Sequence, residues 1–166
     1  AYHEAGHAIA EALISPGGVT LVTIKANHGE VGGFTALHNS EEYWYSKKCM
    51  ENRVIEILSG KAATEMIYGV TDVGANNDLH RAFDIVERFV DNYCSYGFDK
   101  WINKNNCSND LLSRQETHIA SEVNRYYEEA KHLVAENRDY LERVARALIE
   151  KKTLSGSAVR ALKDAA

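Results

Sequence analysis

Cysteine is scarce in this 166-residue chain, and its placement suits no cross-linked scaffold. Cys49, Cys94 and Cys107 are odd in number and widely spaced, with no C-x-x-C pair. That pattern fits a reducing compartment better than a disulfide framework. No run of about 18 apolar residues is present, so no segment reads as a membrane span, and the first residues carry no signal-peptide pattern. The 19 basic residues are outnumbered by 24 acidic ones and form no stripe interleaved with aromatics, which argues against a nucleic-acid partner. Internal repeats and low-complexity tracts are lacking too. What remains, at 45% hydrophobic and 26% charged, is an ordinary soluble globular composition, long enough for one domain with a real core.

Against that plain background stands His3-Glu4-Ala5-Gly6-His7, inside what reads as a helix over residues 2–14. Positions i and i+4 of an α-helix lie one above the other, so both imidazoles can reach one zinc ion with Glu4 beside it. Two neutral imidazoles and an adjacent carboxylate form the zincin pattern, in which the glutamate takes a proton from water as it attacks a peptide carbonyl. The competing reading is two half-buried histidines and a surface glutamate. Because the motif begins two residues into the chain, within its helix, a piece of a longer protein is expected.

The opening helix stops at Ser15-Pro16-Gly17-Gly18, a run of strong breakers. Residues 19–26 are rich in β-branched side chains and read as a strand. A turn over 27–30 and a glycine-containing strand over 31–37 complete a small hairpin. An exposed edge there can accept an extended peptide by strand addition; equally, the hairpin can serve only to cover the core. A helix capped by Asn39 or Ser40 is expected to run past Val54, Ile55, Leu58, Ala62, Met66 and Ile67 to Gly69. Another opens at Asn77-Asp78-Leu79 and closes at Tyr96-Gly97. Residues 99–110 read as an exposed loop, and Ser113-x-x-Glu116 as a capping box. That box opens two packed helices, with a break near Asn137 and an end near Lys152. Ser155 or Ser157 then caps a short terminal helix. The fold class is therefore mainly α, with a small β-hairpin near the N-terminus and a C-terminal helical bundle.

A catalytic zinc takes three protein ligands and leaves one position for water. The long H-E-x-x-H-x-x-G-x-x-H motif is ruled out, because Ala10 and Leu13 stand where its glycine and histidine would be. Other candidates are His28, His38, His80, His118 and His132, and Asp78, a carboxylate in the first turn of a helix. An aspartate there also favours the helix dipole by about 0.3–1 kcal/mol without any metal. Spacing alone does not choose between these.

Several ordered motifs bear on the choice. Tyr2-His3-Glu4-Ala5-Gly6-His7-Ala8 is followed by Leu58-Ser59-Gly60-Lys61-Ala62-Ala63-Thr64-Glu65 with Tyr68-Gly69. Next come Gly74-Ala75-Asn76-Asn77-Asp78-Leu79 with Ala82, then Tyr96-Gly97, and finally Asn137-Arg138 and Thr153-Leu154-Ser155-Gly156. In order and spacing they resemble the peptidase domain of the FtsH family of membrane-anchored AAA proteases, over nearly the whole chain.

The resemblance implies zinc ligands at His3, His7 and Asp78, one Zn2+ per chain, and Glu4 as general base. It implies a substrate-holding edge strand within Gly32, Gly33, Phe34, Thr35 and Ala36. It also implies a homo-hexamer driven by an AAA ATPase module of the same parent chain, acting on unfolded or membrane polypeptides. The parent would be membrane-anchored and this soluble part would lie on the intracellular, reducing side. On this reading residues 1–98 are the catalytic part and 111–166 the C-terminal helices of a single metallopeptidase domain. Three departures stand out: Thr64 where the family usually has the first of two glutamates, no threonine pair within 70–73, and an unrecognisable stretch over 99–110. They leave a catalytically silent relative, serving binding or scaffolding, as the alternative, beside a purely structural metal closed by a fourth ligand.

Overall fold

The computed structural model describes residues 1–25, 33–37, 46–70, 73–92 and 107–165. The chain is mainly α-helical, with one small antiparallel sheet. Helix α1 (Tyr2–Ile14) is buried along Ala5, Ala8, Ile9 and Ala12, and the small alanine side chains let other helices come close to it. Its principal neighbour is α2 (Lys47–Tyr68). A methyl group on Gly6 would overlap the Ser59 carbonyl and come within 2.7 Å of Ala63 Cβ, so this crossing requires glycine for space. Ser46 caps α2 by accepting from the Cys49 amide, and Gly69 ends it in the left-handed conformation.

Strand β1 (Val19–Thr23) lies at the centre of the sheet. It pairs antiparallel with β2 (Phe34–Leu37) on one side and with β3 (Thr153–Ser155) on the other. Val22 and Leu154, paired across the ladder, carry the sheet's inner face into the core. A single 3-10 turn, Val73–Ala75, leads into α3 (Asn76–Asp91). The long α4 (Asn109–Glu136) packs on α2 and α3, and α5 (Arg138–Lys151) returns against α1. Short α6 (Gly156–Ala161) is capped by Ser155. Phe89, Tyr126, Leu141, Leu148 and Val159 join all these elements in one apolar cluster.

Several expected boundaries move. The third strand was not anticipated; it turns the hairpin into a three-stranded sheet and ties the C-terminal helices to the N-terminal ones. Strand β1 stops at Thr23 rather than residue 26. Helix α4 begins at Asn109, capped by Ser108, so Ser113 and Glu116 lie inside the helix and do not form its capping box. The break at Asn137 and the cap at Ser155 are as expected. Helix α2 begins at Lys47 under its Ser46 cap rather than at Asn39 or Ser40, α3 ends at Asp91 rather than at Tyr96-Gly97, and the loop expected over 99–110 is already helical from Asn109. Residues 27–30, 39–40, 96–97 and 99–106 themselves lie outside the described residues.

Candidate metal centre

Helix α1 projects His3 and His7 from successive turns of one face, with the rings edge to face and 4.7 Å between centroids. The first turn of α3 brings Asp78 against them across 71 residues of sequence. Three atoms converge. Nε2 of His3 and Nε2 of His7 are 3.1 Å apart, and Asp78 Oδ2 lies 3.1 Å from the first and 3.2 Å from the second. The side chains are only 12–19% exposed, so water does not dilute their interaction.

The tautomer of His7 follows from its other nitrogen. Nδ1 lies 2.9 Å from the backbone carbonyl oxygen of Glu56, which can only accept, so Nδ1 carries the proton. In the neutral ring Nε2 is then a lone pair, facing a carboxylate oxygen that is also an acceptor. Two acceptors at that separation need a proton or a metal cation between them. The charges point the same way. Burial pulls the His7 pKa down, but the hydrogen bond and charge of Asp78, with smaller help from the Glu56 carbonyl and Glu4, raise it overall. Burial pushes Asp78 up, yet His3 and His7 hold it well below the usual carboxylate range.

The donor triangle fits a tetrahedral metal. Donors held ~2.0–2.1 Å from a tetrahedral ion stand ~3.3–3.4 Å apart, close to the spacings here. Among the described residues this is the one cluster of three or more His, Cys, Asp or Glu side chains with such convergence. Of the other candidate histidines, His80 and His132 are exposed, His118 lies on α4 away from the cluster, and His28 and His38 lie outside the described residues.

The cluster lies in a cleft of about 580 Å3. Glu4, buried at 8% exposure, and the first residues of β2 form one wall; Asn77 and Arg81 of α3 form another. Arg81 Nη1 stands 3.8 Å from Asp78 Oδ1, the carboxylate oxygen turned away from the imidazoles. Gly33, Phe34 and Thr35 line the cleft while Ala36, next on β2, does not, and Thr35 Oγ1 donates to Glu4 Oε2 at 3.2 Å. Gly32 lies outside the described residues.

Two contributors escaped the sequence reading. The Glu56 carbonyl belongs to a backbone, which no residue type announces. Gly60 does have a signal: it sits mid-helix, where glycine costs about 0.5–1 kcal/mol relative to alanine. The reason is space, because a methyl group there would overlap the His7 imidazole. Thr64, the departure noted above, is buried and donates its hydroxyl to the Gly60 carbonyl at 3.0 Å, within its own helix.

Residues 1–162 match the family model described as Peptidase family M41. The chain belongs to peptidase family M41. Its M41 match is accompanied by similarity to curated proteins. It is 33% identical to the ATP-dependent zinc metalloprotease FtsH 1 of Thermoanaerobacter sp. over 94% of this chain and 28% of that protein. It is 32% identical to FtsH 2 of Symbiobacterium thermophilum, over 99% of this chain and 30% of that protein. With FtsH of Bacillus subtilis the identity is 27%, over 99% and 29%. This M41 chain thus spans under a third of the length of the curated relatives it matches. Among the described residues no helix is long and apolar enough to cross a membrane.

Proposed function

We propose that this chain is a zinc-dependent endopeptidase domain that hydrolyses peptide bonds of polypeptide substrates. What carries the reading is the three-atom convergence of His3, His7 and Asp78 beside a buried glutamate, in an M41 chain similar to proteins named zinc metalloproteases. His3, His7 and Asp78 would hold the ion. Zinc at such a site supplies Lewis acidity, which polarises a carbonyl oxygen and makes water a stronger acid near neutral pH. Glu4 accepts the proton of the attacking water and passes it to the departing amine nitrogen, so that one carboxylate serves as base and then as acid. The Glu56 carbonyl keeps the His7 ring in the tautomer that offers Nε2. The outer edge of β2 accepts the substrate backbone as an added strand, bringing the scissile bond across the cleft.

The relatives' names, ATP-dependent zinc metalloproteases, support an ATPase module elsewhere in the parent chain that delivers polypeptide substrates. Unfolded or membrane polypeptides as those substrates, a homo-hexameric parent and its membrane anchor belong to the same proposal and rest on the family resemblance of the sequence motifs. Cleavage of a short unstructured peptide needs no such delivery, so it is the appropriate assay for this chain. With zinc restored, Glu4→Gln should keep its metal and lose roughly 100-fold or more in kcat, the scale of general base catalysis. Asp78→Ala should lose both zinc and cleavage. Undiminished turnover by the Glu4 variant, or full zinc occupancy without Asp78, would overturn the assigned roles.

A further inference from the structure

Resting on that endopeptidase reading, we propose that Thr35 is a positioning residue for Glu4. Its hydroxyl holds one carboxylate oxygen and leaves the other to take the proton. The contact joins two elements distant in sequence: Thr35 Oγ1 on β2 donates to Glu4 Oε2 on α1 at 3.2 Å and comes within 3.5 Å of the Glu4 carbonyl oxygen. Strand alternation puts Gly33 and Thr35 on the same face. At Gly33 a methyl group would approach Glu4 Cγ to 2.8 Å and overlap the Thr23 carbonyl. The face of β2 turned toward α1 thus carries a gap and, two residues on, a hydroxyl; the Glu4 side chain fills the gap and rests on the hydroxyl.

A buried carboxylate accepts hydrogen bonds and donates none, so a fixed donor selects one of its rotamers. Here the donor sits on the strand whose outer edge is assigned to the substrate backbone. One short strand therefore sets the base and the scissile bond relative to each other, the kind of alignment on which effective proton transfer depends. Thr35, read from the sequence only as part of a substrate-holding edge, acts through Glu4 on this account.

Thr35→Val keeps the shape and removes the hydroxyl, while Thr35→Ser restores it. With zinc restored and a short unstructured peptide as substrate, the valine variant should lose roughly 10- to 100-fold in kcat with little change in KM. Its zinc content should equal the parent's, and the serine variant should recover most of the loss. Crystal structures supply a readout independent of turnover: Glu4 Oε2 should rest on the residue 35 hydroxyl in the parent and the serine variant, and leave that position in the valine variant. A valine variant with parental kcat, a loss confined to KM, a drop in zinc content, or a serine variant as impaired as valine would each overturn the proposal. If the parent and Glu4→Gln proved equally inert, the endopeptidase reading would fail, and the crystallographic comparison would still decide whether Thr35 orients Glu4.

Discussion

At the scale of single residues, the centre depends on charges that burial would otherwise disfavour. Glu11 lies one helical turn beyond His7, at 5% exposure, on the lining of the cleft. Burial, with the hydrogen bond and charge of Glu56, pushes its pKa up to about 8, against the opposing pull of Arg53. Ser15 and Arg53 donate to the two oxygens of Glu56 at 3.2 Å each, whereas the Arg53 guanidinium stands 3.6 Å from Glu11 Oε2, so Glu56 is the better supplied with donors. A carboxyl whose folded pKa is raised binds a proton that the unfolded chain has already released. Its contribution is therefore complete below about 4.5 and is lost as pH rises through about 8. Glu11→Gln removes that dependence. Thermal melts of the zinc-loaded proteins should coincide near pH 5 and separate by pH 8.5, the variant being more stable by on the order of 1–3 kcal/mol. Parallel melts across this range would show that Glu11 is ionised in the fold. None of this could be read from the chain, where Glu11, Arg53 and Glu56 are unremarkable charges on helical segments.

Between elements, the decisive feature is how closely α1 and α2 approach. Gly6 on one helix and Gly60 on the other let the backbones meet, and Gly60 leaves room for the ring of His7. An added methyl has no flexible neighbour to displace except that imidazole. Gly60→Ala should therefore favour α2 by intrinsic propensity and still weaken zinc binding roughly 10- to 100-fold, the usual cost of disturbing a ligand's support. Competition with a coloured chelator measures this directly, and an unchanged affinity would mean that the helices adjust freely. The elements themselves were unevenly legible. Helices α1, α2 and α3 announce themselves through periodicity, and Gly69 and Asn137 through their turn preferences. Strand β3 did not, because Thr153-Leu154-Ser155 is too short for any pattern; it is a strand only because β1 offers it a partner. Likewise Ser113 has the right neighbour at Glu116 for a cap, but α4 continues in front of it to Ser108.

For the molecule as a whole, the candidate metal centre draws together distant parts of the chain. His3 and His7 come from the first helix and Asp78 from the third, and one core joins both to the C-terminal helices. A metal bound only by the folded arrangement stabilises it by mass action: at one hundred times Kd the gain is about 2.7 kcal/mol. For a chain of this size that amounts to roughly 5–10 °C in Tm. Zinc should raise the melting temperature of the parent by that amount and chelation should reverse it, whereas Asp78→Ala should scarcely respond. A response in that variant equal to the parent's would place the bound ion elsewhere.

The sequence by itself determined what is local or ordered along the chain. The 3.6-residue period put His3 and His7 on one face, and breakers and caps marked most helix ends. Motif order carried the family resemblance and, through it, the expectation of a ligand at Asp78. Tertiary structure alone decided what depends on separation in space: Asp78 Oδ2 at 3.1–3.2 Å from both imidazoles, the Glu56 carbonyl that sets the His7 tautomer, the room left by Gly60, the pairing of β3, and the hydroxyl of Thr35 on Glu4. These are contacts between residues tens of positions apart. They exist only once apolar burial has closed the chain around its core, and no local pattern encodes them.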